Sequence, residues 1–213
     1  MYYYIPRSEN ETIAISSAES DRMLWSAFKA GKPNAFAQLY DLYFDVLYNY
    51  GKQFGLSNTD LEDTLQDFFI DLNKNKSNCG EVLCVKPYLL KSFRRRVVKT
   101  VKKKRALPFS IQISDKESFP ISLDAGNNYM DFQLNQVQKE YLQQVFKKLS
   151  KRQREAIYHF YYEDLSYAET ADIMGLSSAK SARNLIYQSI SCMKGATVPV
   201  PEWLFILFII SCL

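Results

Sequence analysis

The charged side chains of this sequence are separated into two neighbouring runs of opposite sign. Residues 57–71 include five carboxylates and no basic residue, whereas residues 86–105 include ten basic residues and no acidic one. A DNA duplex carries one phosphate charge per ~1.7 Å of its axis, so a helix with such a basic run is suited to binding nucleic acid. The alternative is a solvated basic face, which is what most charge runs are.

The basic run is interleaved with an apolar stripe at helical spacing, formed by Leu90, Phe93, Val97 and Val101. This periodicity predicts a helix with one face in the protein core, and Pro87 fits its first turn. A helix that is anchored in this way holds its charges in a fixed direction. The pattern therefore favours nucleic-acid binding over a merely solvated face.

A second candidate element lies near the C-terminus and has the pattern of a helix-turn-helix. Residues 166–174 predict a short helix, Gly175-Leu176-Ser177 predicts a helix stop, a turn and a new N-cap, and residues 178–193 predict a second helix. The second helix has one outward polar stripe, formed by Lys180, Arg183, Asn184 and Tyr187, and an inward set formed by Ala182, Leu185, Ile186 and Met193.

Arginine and asparagine can read guanine and adenine edges in a major groove. The alternative is an ordinary helical hairpin with a polar exterior. Because the outward stripe is only modestly basic, we expect this domain alone to bind DNA weakly.

Residues with the spacing of a catalytic or metal site are not apparent. The four cysteines, Cys79, Cys84, Cys192 and Cys212, form no C-x-x-C pair, and the single histidine, His159, lies in an aromatic run typical of packing. There is no glycine-rich phosphate loop and no nucleophile elbow. The sequence therefore predicts no enzyme, no metal and no cofactor.

Length and composition favour a soluble globular protein of one or two domains. The chain has 213 residues, of which 47% are hydrophobic, and its net charge of +4 says little about partners. The first residues lack the basic-then-apolar order of a secretory signal, so we expect a cytoplasmic protein.

The order of elements predicts an all-α fold in two parts, because no segment shows strand alternation. Helix starts are indicated by Ser57 followed by Asp60, and by capping-box patterns at Ser150 and Ser166. The predicted organisation is a flexible N-terminal tail (1–20), a first helical domain (21–105), a flexible linker (106–130), a second helical domain (131–196) and an apolar C-terminal tail (197–213).

The apolar stretch 203–213 is too short to cross a membrane. Eleven helical residues span only ~16 Å, against the ~30 Å of a bilayer core. We expect no membrane span, and instead docking of this stretch onto the protein's own core or onto a partner.

Four segments, in the same order along the chain, resemble a known family, the extracytoplasmic-function group of sigma-70-type initiation factors of bacterial RNA polymerase. AFAQLYDLYFDVLYNYG is similar to the family's opening helices, and DLEDTLQDFFIDL is similar to its polymerase-binding segment. PYLLKSFRRRVVKTVKKKR looks like the helix that engages the promoter's minus-ten element. LSKRQREAIYHFYYEDLSYAETADIMGLSSAKSARNLIYQSI resembles the domain that binds the minus-thirty-five element.

The resemblance implies that residues 21–105 are sigma region 2 and residues 131–196 are sigma region 4. It implies that region 2 docks on the clamp helices of the polymerase's largest subunit through Asp60, Asp63, Gln66, Asp67, Phe69 and Leu72. Contacts to minus-ten DNA are implied for Asn75, Lys76, Asn78, Lys91, Arg94, Arg95, Arg96, Lys99, Lys102 and Lys103, with the loop 75–80 helping to capture an unstacked base. Contacts to minus-thirty-five DNA are implied for Ser177, Ser178, Lys180, Ser181, Arg183, Asn184 and Tyr187.

The implied partners are core RNA polymerase, including the flap of its second-largest subunit, promoter DNA and an anti-sigma factor. The sequence departs from the family at Arg95, where asparagine is common, and in its recognition helix, where more arginine is usual. Two alternatives therefore stay open. One is a sigma-like subunit that another DNA-bound protein brings to its sites, and the other is a stand-alone helix-turn-helix regulator that does not touch polymerase.

Overall fold

The protein is all-α, and a computed structural model describes its residues 11–105 and 143–194. The first described part, called the N-terminal unit here, holds four α-helices and one short 3-10 turn. They are α1 (Glu11–Lys29), α2 (Ala35–Lys52), α3 (Asn58–Lys74), the turn Lys76–Asn78 and α4 (Val85–Arg105). The predicted linker 106–130 and the predicted apolar tail 197–213 lie outside the described residues.

Helix α1 begins ten residues earlier than the sequence pattern predicted. It starts at Glu11, so the prediction of a loose tail up to Ser20 is wrong for residues 11–20. Pro6 lies before this segment, and residues 11–20 include alanine and glutamate, which are good helix formers.

Local rules set the boundaries of the next helices. Gly31 (φ 68°) and Asn34 (φ 64°) adopt left-handed backbone conformations between α1 and α2, which ends the first helix. The side chain of Ser57 accepts a hydrogen bond from the backbone N–H of Asp60 at the start of α3. The predicted cap at Ser57 is therefore confirmed.

The core of the N-terminal unit is aromatic and closely packed. Trp25 is buried, donates its indole N–H to the carbonyl of Gly80 at 3.2 Å and packs edge-on against Tyr88. Helix α2 approaches α3 and α4 so closely at Gly51 that an added Cβ would lie 2.3 Å from Leu61 Cδ1 and 3.1 Å from Phe93 Cε1. Glycine at this position is what allows the three helices to meet.

The second described part, the C-terminal unit, is a compact set of short helices. They are α5, which is described from residue 143 to residue 147, α6 (Lys151–Ile157), α7 (Tyr167–Met174) and α8 (Ala179–Lys194), with a wider, π-helical turn from Tyr158 to Tyr162 after α6. Both predicted capping boxes are present, at Ser150 with Gln153 and at Ser166 with Glu169. Gly175 ends α7 in the left-handed conformation that the turn requires.

The two units pack against each other. Helix α4 lies along α7, and Tyr50 at the end of α2 is fully buried against the rings of Tyr158 and His159, with centroid distances of 5.8 and 4.9 Å. Within residues 11–105 and 143–194, no helix is both long enough and apolar enough to span a bilayer.

Candidate nucleic-acid interface

Helix α4 carries the basic run predicted to contact DNA, and its cations differ in accessibility. Arg95, Lys99, Lys102 and Lys103 are exposed along the helix, while Val97 and Val101 anchor the opposite face in the core. Lys91, Arg94 and Arg96 are only partly exposed, because each lies against a carboxylate. The predicted amphipathic helix is confirmed, and its free cations lie mainly in its second half.

The acidic helix α3 packs beside α4, and three of its five carboxylates face basic residues of α4. Asp60 pairs with Lys104, Asp71 pairs with Arg96, and Asp67 lies 3.8 Å from the same guanidinium. A hydrogen bond from Lys104, with a second from Ser57, lowers the pKa of Asp60. The opposite charges are thus assigned to separate helices, as predicted, but the two helices share a border along which part of the charge is neutralised.

Apart from Asp60, which is half-buried and pairs with Lys104, the predicted polymerase-binding residues of α3 divide into two groups. Asp63, Gln66 and Asp67 are exposed on one side of the helix. Phe69 and Leu72 were predicted to be contact residues, but they are buried, with Phe69 packed between the rings of Tyr40 and Phe68. The correction has a simple cause, since both residues lie on the same apolar stripe as Leu61 and Leu65 and therefore face the core.

The loop that follows α3 begins at Asn75, because the helix continues to Lys74. Asn75 uses its side-chain amide to cap α3, donating to the carbonyl of Asp71 at 2.8 Å, and Lys76 donates to Asn73 Oδ1 at 3.4 Å. Asn78 is exposed at the end of the 3-10 turn. Three loop residues were predicted to contact DNA. Asn75 and Lys76 use their side chains in hydrogen bonds within the protein, whereas the side chain of Asn78 makes none to the described residues.

Helices α7 and α8 form the predicted helix-turn-helix. Ser178 Oγ accepts a hydrogen bond from the backbone N–H of Ser181 at 3.2 Å, so the N-cap of α8 is Ser178 and not Ser177. Ser177 Oγ lies 2.8 Å from Ser181 Oγ, with Ser177 exposed before the helix and Ser181 half-buried in its first turn. Ala182, Ile186 and Met193 are buried and Leu185 is half-buried, as predicted.

The outward stripe of α8 is exposed along its whole length. Its members are Lys180, Arg183, Asn184 and Tyr187. The guanidinium of Arg183 lies 5.4 Å from the ring centroid of Tyr187, which holds the arginine along the helix surface. The geometry is that of a helix that presents hydrogen-bonding side chains for insertion into a groove.

His159 is fully buried at the contact between the two units. Burial lowers its pKa to about 4, and neither ring nitrogen has a hydrogen-bond partner among the described residues. Its contacts are with the rings of Tyr50 and Tyr158. The packing role predicted for this histidine agrees with these contacts.

A buried charge cluster between the units was missed by the sequence analysis. Arg94 donates from Nε to Glu155 Oε1 at 2.6 Å and from Nη2 to Oε2 at 3.1 Å, and the hydroxyl of Tyr50 donates to Oε1 at 2.9 Å. Glu155 lies at a buried position of α6, and a buried carboxylate needs a partner. Because the preceding residues 151–154 are all polar, the sequence pattern did not mark Glu155 as buried.

Comparison with known proteins relates the C-terminal unit to region 4 of sigma-70. Residues 139–189, which include α6, α7 and most of α8, match the family model described as Sigma-70, region 4. A solved structure with a similar fold is that of CnrH in complex with the cytosolic domain of CnrY, with a TM-score of 0.56 and 18% identity over 82% of this chain and 94% of the matched chain. The search among curated proteins found no match.

Proposed function

We propose that this chain is a small initiation factor of the sigma-70 type, belonging to the extracytoplasmic-function group. In this proposal it binds core RNA polymerase through the exposed side of α3, directs the enzyme to promoters through α4 and α8, and assists melting of the DNA. The observation that carries the proposal is the match of residues 139–189 to sigma-70 region 4, on a helix-turn-helix whose second helix has an exposed polar stripe.

The polymerase-binding surface that we propose consists of Asp63, Gln66 and Asp67. These side chains are exposed on one side of α3, and the buried Phe69 and Leu72 fix the direction of that side by anchoring the helix. A row of carboxylates that meets the basic clamp helices of the polymerase would orient the complex and speed its formation. A regulator that binds DNA without polymerase has no need of this surface.

The proposed promoter-binding surface has two parts. Phosphate contacts near the site where the promoter strands separate come from four exposed cations of α4, Arg95, Lys99, Lys102 and Lys103. Asn78 is also exposed and would contact an unstacked base. Helix α8 provides the contacts to the minus-thirty-five element. The chain would act by binding alone, with no covalent step of its own.

We also propose that the chain takes a regulatory protein partner of the anti-sigma kind. The support is that CnrH, whose fold is similar, has been solved in complex with the cytosolic domain of CnrY. A second candidate function is supported by the modest charge of α8, whose outward stripe has only Lys180 and Arg183 as cations. This favours a sigma-like subunit that a further DNA-bound protein brings to its sites.

Polymerase binding is tested by charge reversal on α3. The double variant D63K/D67K should bind immobilised core RNA polymerase more weakly by roughly tenfold or more, because interfacial charge pairs are coupled by about 1.5–7 kcal/mol. The matched control is D41K/D45K, which makes the same charge change at two exposed positions of α2. Equal binding by the two variants would mean that α3 is not the polymerase contact.

Promoter recognition is tested by transcription with purified core polymerase, genomic DNA fragments and this chain, followed by mapping of transcript starts. A sigma factor gives discrete starts that disappear when the chain is omitted. Starts that need a third component would favour the recruited subunit. Failure of the chain both to bind polymerase and to direct starts would leave the stand-alone regulator.

A further inference from the structure

The basic turn, defined as residues 147–152 between α5 and α6, is a positively charged surface outside the predicted site. Lys147, Lys148 and Arg152 are exposed there, and residues 143–154 include no carboxylate. Among the described residues, no carboxylate forms an ion pair with any of these three cations. In contrast, Arg96 and Lys104 of α4 each pair with one. The charge of the basic turn is therefore available to a ligand.

Hydrogen bonds fix the backbone of the basic turn. The buried Arg154 donates from Nη1 to the carbonyl oxygens of Phe146 at 3.2 Å and Leu149 at 3.1 Å, which satisfies the end of α5. Ser150 and Gln153 form the capping box that starts α6. The backbone positions of the three cations are thus set before any ligand binds, so that less ordering is required on binding.

The basic turn lies beside the C-terminal end of α8. The thiol of Cys192, near the end of that helix, lies 3.9 Å from the carbonyl oxygen of Lys148. The outward stripe of α8 ends at Tyr187, which is five residues earlier and therefore ~8 Å away along the helix axis. The same unit presents the outward stripe and, beside the far end of α8, a group of exposed cations.

A helix that enters the major groove has a phosphate backbone on either side. Because the groove is only ~12 Å wide, a group that lies beside the helix meets phosphates and not base edges. Most hydrogen bonds between proteins and DNA go to phosphate and sugar, and these bonds fix the register of the reading helix. The outward stripe has only Lys180 and Arg183 as cations, so it supplies few phosphate contacts of its own.

We propose that the basic turn is a phosphate-binding site for the DNA backbone that flanks the groove entered by α8, with Lys147, Lys148 and Arg152 as the contacting side chains. This inference rests on the proposed function and deepens it, because the ligand is the promoter duplex that α8 reads. The turn supplies affinity that is independent of sequence, and α8 supplies the base contacts. An acidic protein segment is the other ligand that such a surface fits, and the position of the turn beside α8 favours DNA.

The test compares the full chain with the variant K148Q/R152Q, which removes two charges at exposed positions. The matched control R22Q/K32Q removes one arginine and one lysine from exposed positions of the N-terminal unit. Fluorescence anisotropy measures the affinity of each chain for a fluorescein-labelled duplex of roughly 20 base pairs, which is two turns of DNA, between about 50 and 200 mM salt. Circular dichroism checks that each variant has the helical content of the unmodified chain.

For K148Q/R152Q, the slope of log Kobs against log salt should be flatter by about 2 than for the unmodified chain, since each lost phosphate contact changes it by ~0.9. The control should keep the slope of the unmodified chain. A second duplex of different sequence should give the same change, because phosphate contacts carry no sequence information. The variant N184A, which removes a neutral amide from the outward stripe, should leave the slope unchanged.

The proposal fails if K148Q/R152Q and the control have the same salt slope, or if the unmodified chain does not bind the duplex at the lowest salt. If the slopes are the same and K148Q/R152Q also loses an affinity for core polymerase that the control keeps, the basic turn is a protein-docking site. The duplex measurement needs no polymerase. A chain that binds DNA through the turn but neither binds polymerase nor directs transcript starts would refute the proposed function and leave this contact in place.

Discussion

Helix α4 makes ion pairs on two sides, and the individual pairs differ in burial; on the side of the C-terminal unit, Lys91 with Asp172 is open to solvent, whereas Arg94 with Glu155 is not. Towards α3, Lys104 and Arg96 pair with Asp60 and Asp71, whose carboxylates are in contact with solvent. Towards the C-terminal unit, Arg94 pairs with Glu155, which solvent hardly reaches. Exposed pairs typically contribute 0–1 kcal/mol, whereas removal of one member of a buried pair costs about 3–5 kcal/mol.

Different interactions stabilise helix α4 within the N-terminal unit and the contact between the two units. Within the N-terminal unit, α4 is fixed by buried apolar residues such as Leu89, Phe93 and Val97, so its exposed ion pairs are dispensable. Between the units, a charge cluster sits at the centre of the contact, and each of its members depends on the others. We therefore expect substitution of the buried Glu155 to differ in effect by several kcal/mol from substitution of the exposed carboxylates of α3.

The largest effect is expected for Glu155→Ala. The change leaves the guanidinium of Arg94 and the hydroxyl of Tyr50 without their acceptor, so the free energy of unfolding should fall by about 3–5 kcal/mol. Urea denaturation followed by circular dichroism measures this. Glu62→Ala, at an exposed position of α3, is the control and should change stability by less than about 0.5 kcal/mol. A loss below 1 kcal/mol for Glu155→Ala would contradict the comparison.

Acid should weaken the contact between the units. Burial lowers the pKa of His159 from 6.5 to about 4, so the separated units bind a proton more readily than the docked ones. The stabilisation is complete above pH 6.5 and is lost as the pH falls towards 4, by up to about 3 kcal/mol. Glu155 acts in the same direction only below its ordinary pKa of 4.5, because burial raises the pKa of that carboxyl but Arg94 outweighs burial and lowers it.

The measurement is the radius of gyration and the melting temperature between pH 7.5 and pH 4.5. His159→Phe keeps a ring in the same place but cannot be protonated, so its curve against pH should be flatter over this window. If the two proteins have the same pH dependence, His159 does not contribute to the acid response, and the titration must belong to another group.

The smallest effect is expected for Asp71→Ala on the α3 side of the helix. Its carboxylate is exposed and Arg96 can remain solvated, so the loss should be below about 1 kcal/mol. A double-mutant cycle with Arg96→Ala isolates the coupling of the pair. Coupling above 2 kcal/mol would show that exposed and buried pairs of α4 do not differ as we infer.

Much of the fold could be predicted from the sequence because its signals are local. The caps at Ser57, Ser150 and Ser166 and the helix stop at Gly175 depend on residues within one helical turn, and all four are present. The start of α1 was predicted wrongly, since residues 11–20 have no apolar periodicity strong enough to distinguish a surface helix from a loop.

The candidate site was predicted in part. The basic face of α4 and the outward stripe of α8 follow from periodicity, and their exposure in the structure agrees with it. Phe69 was assigned to the surface through a family pattern, although its own spacing places it in the core. Glu155 and Asp172 were missed because their partners lie 61 and 81 residues away along the chain.

Apart from residues 11–20, the sequence by itself determined which of the described segments are helical, where most of them begin and end, and which face of α4 carries positive charge, because each of these depends on neighbours within a few residues. Only the tertiary structure decided which of those charges are accessible. Whether a cation faces solvent or a carboxylate depends on how two units meet across a long stretch of chain, and the spacing of residues within one helix contains no information about that.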